Sequence, residues 1–287
     1  MTHHCRLQPP QPFALDVAVR GHGWYDLEPH TYADGCFATV LRIDGQAVDA
    51  AVRESSSALA VRLSAPVAQA AKTQLARMLR LDLDLEPFWA LCDAEARLRW
   101  ARARGAGRLL RSAHAFEDLI KLLFTTNCSW AATRLMTSRL VAALGEPAPS
   151  GRRAFPGPEL VAAQPERFFR DVVRAGYRSR ACLALARAFA AGTLSDAHFS
   201  DPELDATTLR NRLLALDGFG PYAAGQALRL FGHHDDLALD SWCRAELARR
   251  AGRSRAPSDR AVAKVYARFG RWRGLALWVD LTTPWFH

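Results

Sequence analysis

The segment Leu216-Asp-Gly-Phe-Gly-Pro221 separates two stretches of helical periodicity, Thr207 to Leu216 and Pro221 to Phe231. It restricts the fold more than any other part of the chain. Gly218 and Gly220 permit positive φ and leave neighbouring backbone N–H groups unobstructed. Pro221 suits the first position of a helix, where its missing N–H is no loss. The expected product is a helix, a tight turn and a second helix whose start can hold a phosphate oxygen. Such a pair can grip a nucleic-acid backbone without reading its sequence. Taken alone, Gly-x-Gly between helices describes a plain connection equally well. An apolar extended segment, Leu237 to Leu239, follows, and Asp240 then opens another helix. Asp240 and Ser241 are both good N-cap residues, so a purely structural use stays open at this point.

The rest of the chain divides into two kinds of pattern. Phe13 to Val19, Phe37 to Ile43, Ala47 to Val52 and Ala58 to Leu63 read as strands, and Asp44-Gly45 is a hairpin signal. They imply an antiparallel sheet with one buried face. Apolar residues then recur at helical spacing over Ala65 to Leu81, Phe116 to Thr125, Trp130 to Leu144, Pro158 to Ala163, Glu166 to Ala175 and Ser179 to Ala191. Asp259 to Phe269 and Gly274 to Thr283 read the same way. The expected fold class is α+β: an antiparallel sheet domain over residues 1–95, then an all-helical domain over 96–287. Met1 to Pro12 is expected to be a flexible arm.

Charge and cysteine usage narrow the function. The formal net charge is +9 and the pI about 9.7, which favours an anionic partner such as nucleic acid. No apolar run reaches the roughly 20 residues that span a bilayer, so no membrane partner is expected, and the reading is a cytoplasmic monomer, associated with the nucleoid in a bacterium. Cysteines at 5, 36, 92, 128, 182 and 243 show no C-x-x-C pair, which argues against a zinc site or a disulfide framework. His233-His234-Asp235-Asp236 reads as a solvated polar loop in preference to a metal site. Only three lysines occur, Lys72, Lys121 and Lys264.

Taken together, Leu216, Gly218, Phe219, Gly220, Ala223, Ala224 and Asp240 resemble the signature of the helix-hairpin-helix DNA glycosylase superfamily, with its Gly/Pro-rich loop and Asp. Phe116 to Asn127 and Ala175-Gly-Tyr-Arg-Ser-Arg180 look like segments of 8-oxoguanine glycosylases. The sheet fits the additional domain shared with inducible 3-methyladenine glycosylases. The resemblance implies Asp240 as catalytic carboxylate and a base pocket at Tyr222, Gln226 and Trp242. It implies DNA contacts at Gly218, Phe219, Gly220, Asn127, Tyr177 and Arg178. Asn127 and Tyr177 would enter the gap left by an extruded base, and Asn127 and Arg178 would face the orphaned partner base. It also implies double-stranded DNA carrying a damaged base as the partner, and a monovalent cation at the hairpin carbonyls as the one cofactor to consider.

Departures from the family pattern matter as much. Tyr222 stands where bifunctional members carry a lysine, and a phenol cannot form the imine that strand cleavage requires. Lys121 is the one amine whose helix leads towards the Asn127 loop. No cysteine follows Cys243, which excludes the iron–sulfur cluster of some members. Gln226 replaces a cysteine that flanks oxidised guanine, and Ala132 replaces an opposite-base arginine. The sequence therefore points to a monofunctional glycosylase for a damaged, alkylated purine. An 8-oxoguanine-type enzyme and a non-catalytic DNA-binding protein are the alternatives.

Overall fold

A computed structural model describes residues 1–201 and 203–286. Five strands make one antiparallel sheet in the order β1-β5-β4-β3-β2: β1 (His3–Leu7), β2 (Thr31–Ala33), β3 (Cys36–Ile43), β4 (Gln46–Ser55) and β5 (Ala58–Leu63). Three hairpins set its register, two of them closed by Asp-Gly and one by Ser56-Ser57. Asp34-Gly35 and Asp44-Gly45 both take positive φ, the conformation that type I′ turns need to match strand twist. Phe37 faces Val52, and Leu41 faces Val48, so the apolar positions of β3 and β4 share the buried side.

Two expectations for the N-terminal region are corrected. Met1 to Pro12 is not a free arm: His3–Leu7 pairs with β5, His3 opposite Leu63 and Leu7 opposite Leu59. The alternation of half-buried and exposed residues in this short strand gave little sequence signal, because an edge strand buries only one side weakly. Phe13 to Val19 is not a strand. Most of it lies in helix α1 (Leu15–Arg20), in which Leu15, Val17, Ala18 and Val19 are all buried. A run apolar on every side fits a core helix as well as a strand, and packing decides between them.

The helices then follow in chain order. After the sheet come α2 (Ala68–Met78), α3 (Glu86–Asp93), α4 (Trp100–Ala103), α5 (Ala115–Thr125) and α6 (Trp130–Leu144). Next are α7 (Pro158–Ala162), α8 (Glu166–Phe168), α9 (Ser179–Ala190), α10 (Ala197–Ser200) and α11 (Ala206–Leu214). The last are α12 (Pro221–Phe231), α13 (Ser241–Arg250), α14 (Asp259–Tyr266) and α15 (Arg273–Thr282). The helix expected over Glu166 to Ala175 is interrupted: Phe169–Val173 winds as a wider π turn and Arg174 is left-handed at φ 62°. The segment read as Asp259 to Phe269 is helical only to Tyr266 before a tighter turn takes over.

One core cluster joins the sheet, through Phe37, Leu41, Val52 and Leu59, to α5 and α12 through Leu119, Leu123, Ala224 and Leu228. A second joins Leu85, Phe88 and Trp89 to Cys243, Tyr266, Trp272 and Leu275. The segment from Gly232 to Asp240 connects α12 in the first cluster to α13 against the second. Among the described residues no helix is long and apolar enough to cross a membrane.

Candidate active site

The hairpin forms as its residue types require. Gly218 is left-handed at φ 81°, and a Cβ there would lie 2.9 Å from both Ala181 Cβ and Leu123 Cδ2. Only glycine fits both demands. Gly220 differs: its φ is −90° and a Cβ would meet nothing within 4 Å. Its lack of a side chain keeps the start of α12 open. Phe219 points inward and is buried at 5% exposure.

The stretch after α12 is fastened at nearly every residue. The Gly274 N–H donates to the His234 carbonyl at 2.7 Å, and Arg273 donates to the Asp235 carbonyl. Asp236 accepts the Ala238 N–H at 2.6 Å and is paired with Arg210. Arg229 donates to the Leu237 carbonyl at 2.7 Å, and Gln226 to the Ala238 carbonyl at 3.0 Å. Ala238 holds φ 44°, a conformation that a non-glycine residue keeps only when its surroundings impose it. Gly225 and Gly274 make this close approach possible, since added Cβ atoms would press on Ala238 and on the Asp236 carbonyl. The expectation of a solvated loop at 233–236 fails at His234, which is 4% exposed and stacked on Trp272 at 5.3 Å. Burial holds its imidazole well below the usual histidine range. Among the described residues no group of three metal-ligating side chains converges.

This clamp delivers Asp240, half-buried, to the N-terminus of α13. One carboxylate oxygen, Oδ1, accepts the Cys243 N–H at 2.6 Å. Asp240 is therefore an N-cap, and its second oxygen is not engaged in the cap. It lines a cavity of about 1140 Å³ together with Trp24, Trp130, Tyr222, Trp242 and Trp285. Gln226 lines it too, although its amide is held by the Ala238 carbonyl and by Arg229 at 3.2 Å. Trp242 is 37% exposed and packs on Trp278 and Trp285 at 5.5 and 5.6 Å between ring centres. Beneath Trp278 lies the guanidinium of the buried Arg229, 4.9 Å from the ring centre. Burial, with the Asp240 charge adding to it, pushes the Tyr222 phenol up to about 12. Tyr222 therefore stays neutral in the cavity lining.

Asn127 also lines the cavity. It is left-handed at φ 44°, and its amide donates to the Tyr177 hydroxyl at 3.2 Å. Tyr177 is 64% exposed, so the two side chains project together from different loops. Arg178 lies otherwise than expected. It is 7% exposed, donates to Thr126 Oγ1 at 3.1 Å and to the Thr126 carbonyl, and sits 4.5 Å below the Tyr177 ring. The structure thus brings Asp240, Tyr222, Gln226, Trp242 and Asn127 to one cavity, while Gly218, Phe219, Gly220, Tyr177 and Arg178 lie outside its lining. Lys121 is wholly buried, with Nζ 2.6 Å from Glu117, and no lysine is among the described residues lining the cavity.

Sequence reasoning missed the aromatic walls. Trp24, Trp130, Trp278 and Trp285 come from four separate elements, and no spacing rule connects them. The one available signal was the abundance of tryptophan, eight residues in the chain, three of them after Gly270.

No family model matches the sequence, and no curated protein is similar to it at the sequence level. Solved structures match over almost the whole chain. The protein shares its fold with DNA glycosylases. It is similar to the 3-methyladenine DNA-glycosylase from Archaeoglobus fulgidus, with a TM-score of 0.78, 19% identity, and 98% of this chain and 99% of that one covered. MBOgg1, solved with a low-affinity DNA ligand, matches with a TM-score of 0.73, 15% identity, and 98% and 94% covered. The 8-oxoguanine glycosylase/lyase of Clostridium acetobutylicum, bound to duplex DNA with cytosine opposite 8-oxoguanine, matches at 0.68 with 14% identity, and 92% of each chain covered.

Proposed function

We propose that this protein is a monofunctional DNA glycosylase that takes an alkylated purine out of double-stranded DNA and hydrolyses its N-glycosidic bond. The observation that carries this reading is the Asp240 carboxylate at the wall of an aromatic cavity with no lysine among its described lining residues. Breaking the bond builds positive charge on the sugar. A fixed carboxylate stabilises that charge and orients a water for attack at C1′. The base must first leave the stack, at a cost of a few kcal/mol. Indole faces repay part of that cost and favour a cationic, alkylated ring through cation–π attraction. Asn127 and Tyr177 project together where they can fill the vacated gap.

The absence of a usable amine supports hydrolysis over imine chemistry. Tyr222 occupies the place where an amine would act, and Lys121 is bound to Glu117 inside the core. Oxidised guanine is the second reading, favoured by the contact between Asn127 and Tyr177. The test is a panel of duplexes, each with one lesion, incubated with the protein and then treated with alkali. Release of alkylated purines, strand breaks only after alkali, and no adduct trapped by borohydride are expected. Preferential release of 8-oxoguanine selects the second reading. Binding without release of any base makes the protein a DNA-binding module.

A further inference from the structure

Trp130 is the first residue of α6, directly after the Asn127 loop, and it is held in an unusual way. Its indole N–H donates to Asp26 Oδ2 at 2.8 Å, and the same oxygen takes Arg134 Nε at 3.3 Å. The far edge of the ring lies on Gly23. A Cβ built on Gly23 would stand 2.7 Å from Trp130 Cη2 and 2.9 Å from Cζ2, and its three nearest atoms all belong to this indole. Gly23 does not have a left-handed φ, so a backbone argument does not explain the glycine there. What an alanine would disturb is the seat of Trp130. The ring is nevertheless 39% exposed, and Trp130, Gly23 and Asp26 all line the cavity that holds Asp240.

We propose that Trp130, seated on Gly23 and tethered by Asp26, is a specificity-determining residue that sets how large a base the cavity admits. This rests on the function proposed above and adds to it. A tryptophan that served only to fill the core would be buried, and one that served only as a surface residue would not need a glycine beneath it and a carboxylate at its N–H. The seat fixes a flat apolar face at one side of the cavity. A methylated purine needs a smaller gap than a purine enlarged by an additional fused ring. A wall fixed on two sides can reject the larger ring by steric overlap, whereas a freely rotating indole would yield. A single misplaced methyl-sized group in such a pocket is worth about tenfold or more in discrimination.

The test compares Gly23→Ala, Trp130→Ala and the double variant on duplexes containing 7-methylguanine or 1,N6-ethenoadenine. Excision rates are measured with the full-length protein. Duplex affinities are measured in an Asp240→Asn background, which reads the cavity without needing the chemistry. Trp130→Ala is expected to raise the ethenoadenine-to-methylguanine ratio about tenfold. Gly23→Ala is expected to shift the ratio by a similar factor in either direction, and to have no further effect once Trp130 is alanine. A merely structural role would lower both substrates together and would give additive effects in the double variant. Asp26→Asn, whose amide oxygen can still accept the indole N–H, should retain the ratio, and Asp26→Ala should reproduce Trp130→Ala. Unchanged ratios in Trp130→Ala, or additivity with Gly23→Ala, overturn the assignment. If the unmodified protein releases no base from any duplex, the function falls. The affinity ratios in the Asp240→Asn background then still decide the role of Trp130.

Discussion

At the scale of single residues, Asp240 has two uses that substitution can separate. Its Oδ1 caps α13 through the Cys243 N–H, and its charge faces the cavity. Asparagine is as good an N-cap as aspartate but carries no charge. Asp240→Asn should therefore melt within a few degrees of the unmodified protein, bind duplex DNA normally and lose base release by about 10³-fold or more. Asp240→Ala should lose the same activity and, in addition, about 1 kcal/mol of stability from the missing cap. Single-turnover excision and thermal melts check both; near-normal excision by the asparagine variant would remove Asp240 from the chemistry. Arg178 invites a different expectation. Its guanidinium is spent on Thr126 and Ala175 beneath the Tyr177 ring, which makes it a brace of the Asn127 loop in this structure. Arg178→Ala should lower excision alike against all four opposite bases. A change confined to one opposite base would show that Arg178 leaves this position and reads DNA directly.

At the scale of elements, the two hairpin glycines should behave oppositely. Gly218 has a left-handed φ and no room for a Cβ, so Gly218→Ala should destabilise the fold by about 1–3 kcal/mol. Gly220 has ordinary φ and open space, so Gly220→Ala should leave the melting temperature nearly unchanged and weaken DNA binding, because the new methyl covers the exposed start of α12. Equal losses of stability in both variants would mean that the hairpin is only a connection. The helix boundaries here were readable because glycine, proline and apolar periodicity agree, and α12 spans the expected Pro221–Phe231. Where they disagree the reading failed. Phe13 to Val19 carries apolar residues at nearly every position, which hides the period, and Leu15 to Arg20 folds as a helix that buries Leu15, Val17, Ala18 and Val19. Likewise the edge strand His3–Leu7 has too little apolar contrast to be distinguished from a tail.

At the scale of the whole molecule, charge and burial make two further predictions. For the proposed DNA glycosylase, a net charge of +9 implies binding dominated by phosphate contacts, with a log–log salt slope of about −0.9 for each phosphate neutralised. Affinity that stays flat between 50 and about 200 mM salt would contradict it. The second concerns acid. Burial holds His22 at about 3 and His30 at about 4, both below the ordinary value of 6.5. The unfolded chain therefore takes up protons near pH 6.5 that the folded chain refuses, so stability is full above that pH and falls as the pH drops towards 4. Between pH 6.5 and 5 the loss is about 2 kcal/mol for each histidine. Thermal melts at pH 7 and 5 should show a drop, and replacing His30 with glutamine should remove only its share of it, leaving the shares of His22 and the buried His234. A melting temperature independent of pH over that range would mean that these imidazoles are not buried as described.

The sequence by itself determined the hairpin, the sheet that precedes most of the helices, and Asp240 as the carboxylate to watch. Each of these is local: a turn that needs glycine, an alternation of period two, a helix start after an extended run. It also placed a phenol at position 222, an identity that no fold can change. What only the tertiary structure decided is the surrounding of that carboxylate. Trp24 belongs to the first core cluster and Trp285 packs against the second, yet both line one cavity with Trp130 and Trp242, and contacts between distant segments leave no period in the sequence. The fate of the charged residues was decided in the same way. Lys121 and Arg178 carry the same side chains whether buried or exposed, and only packing shows that one is paired with Glu117 and the other is braced against Thr126.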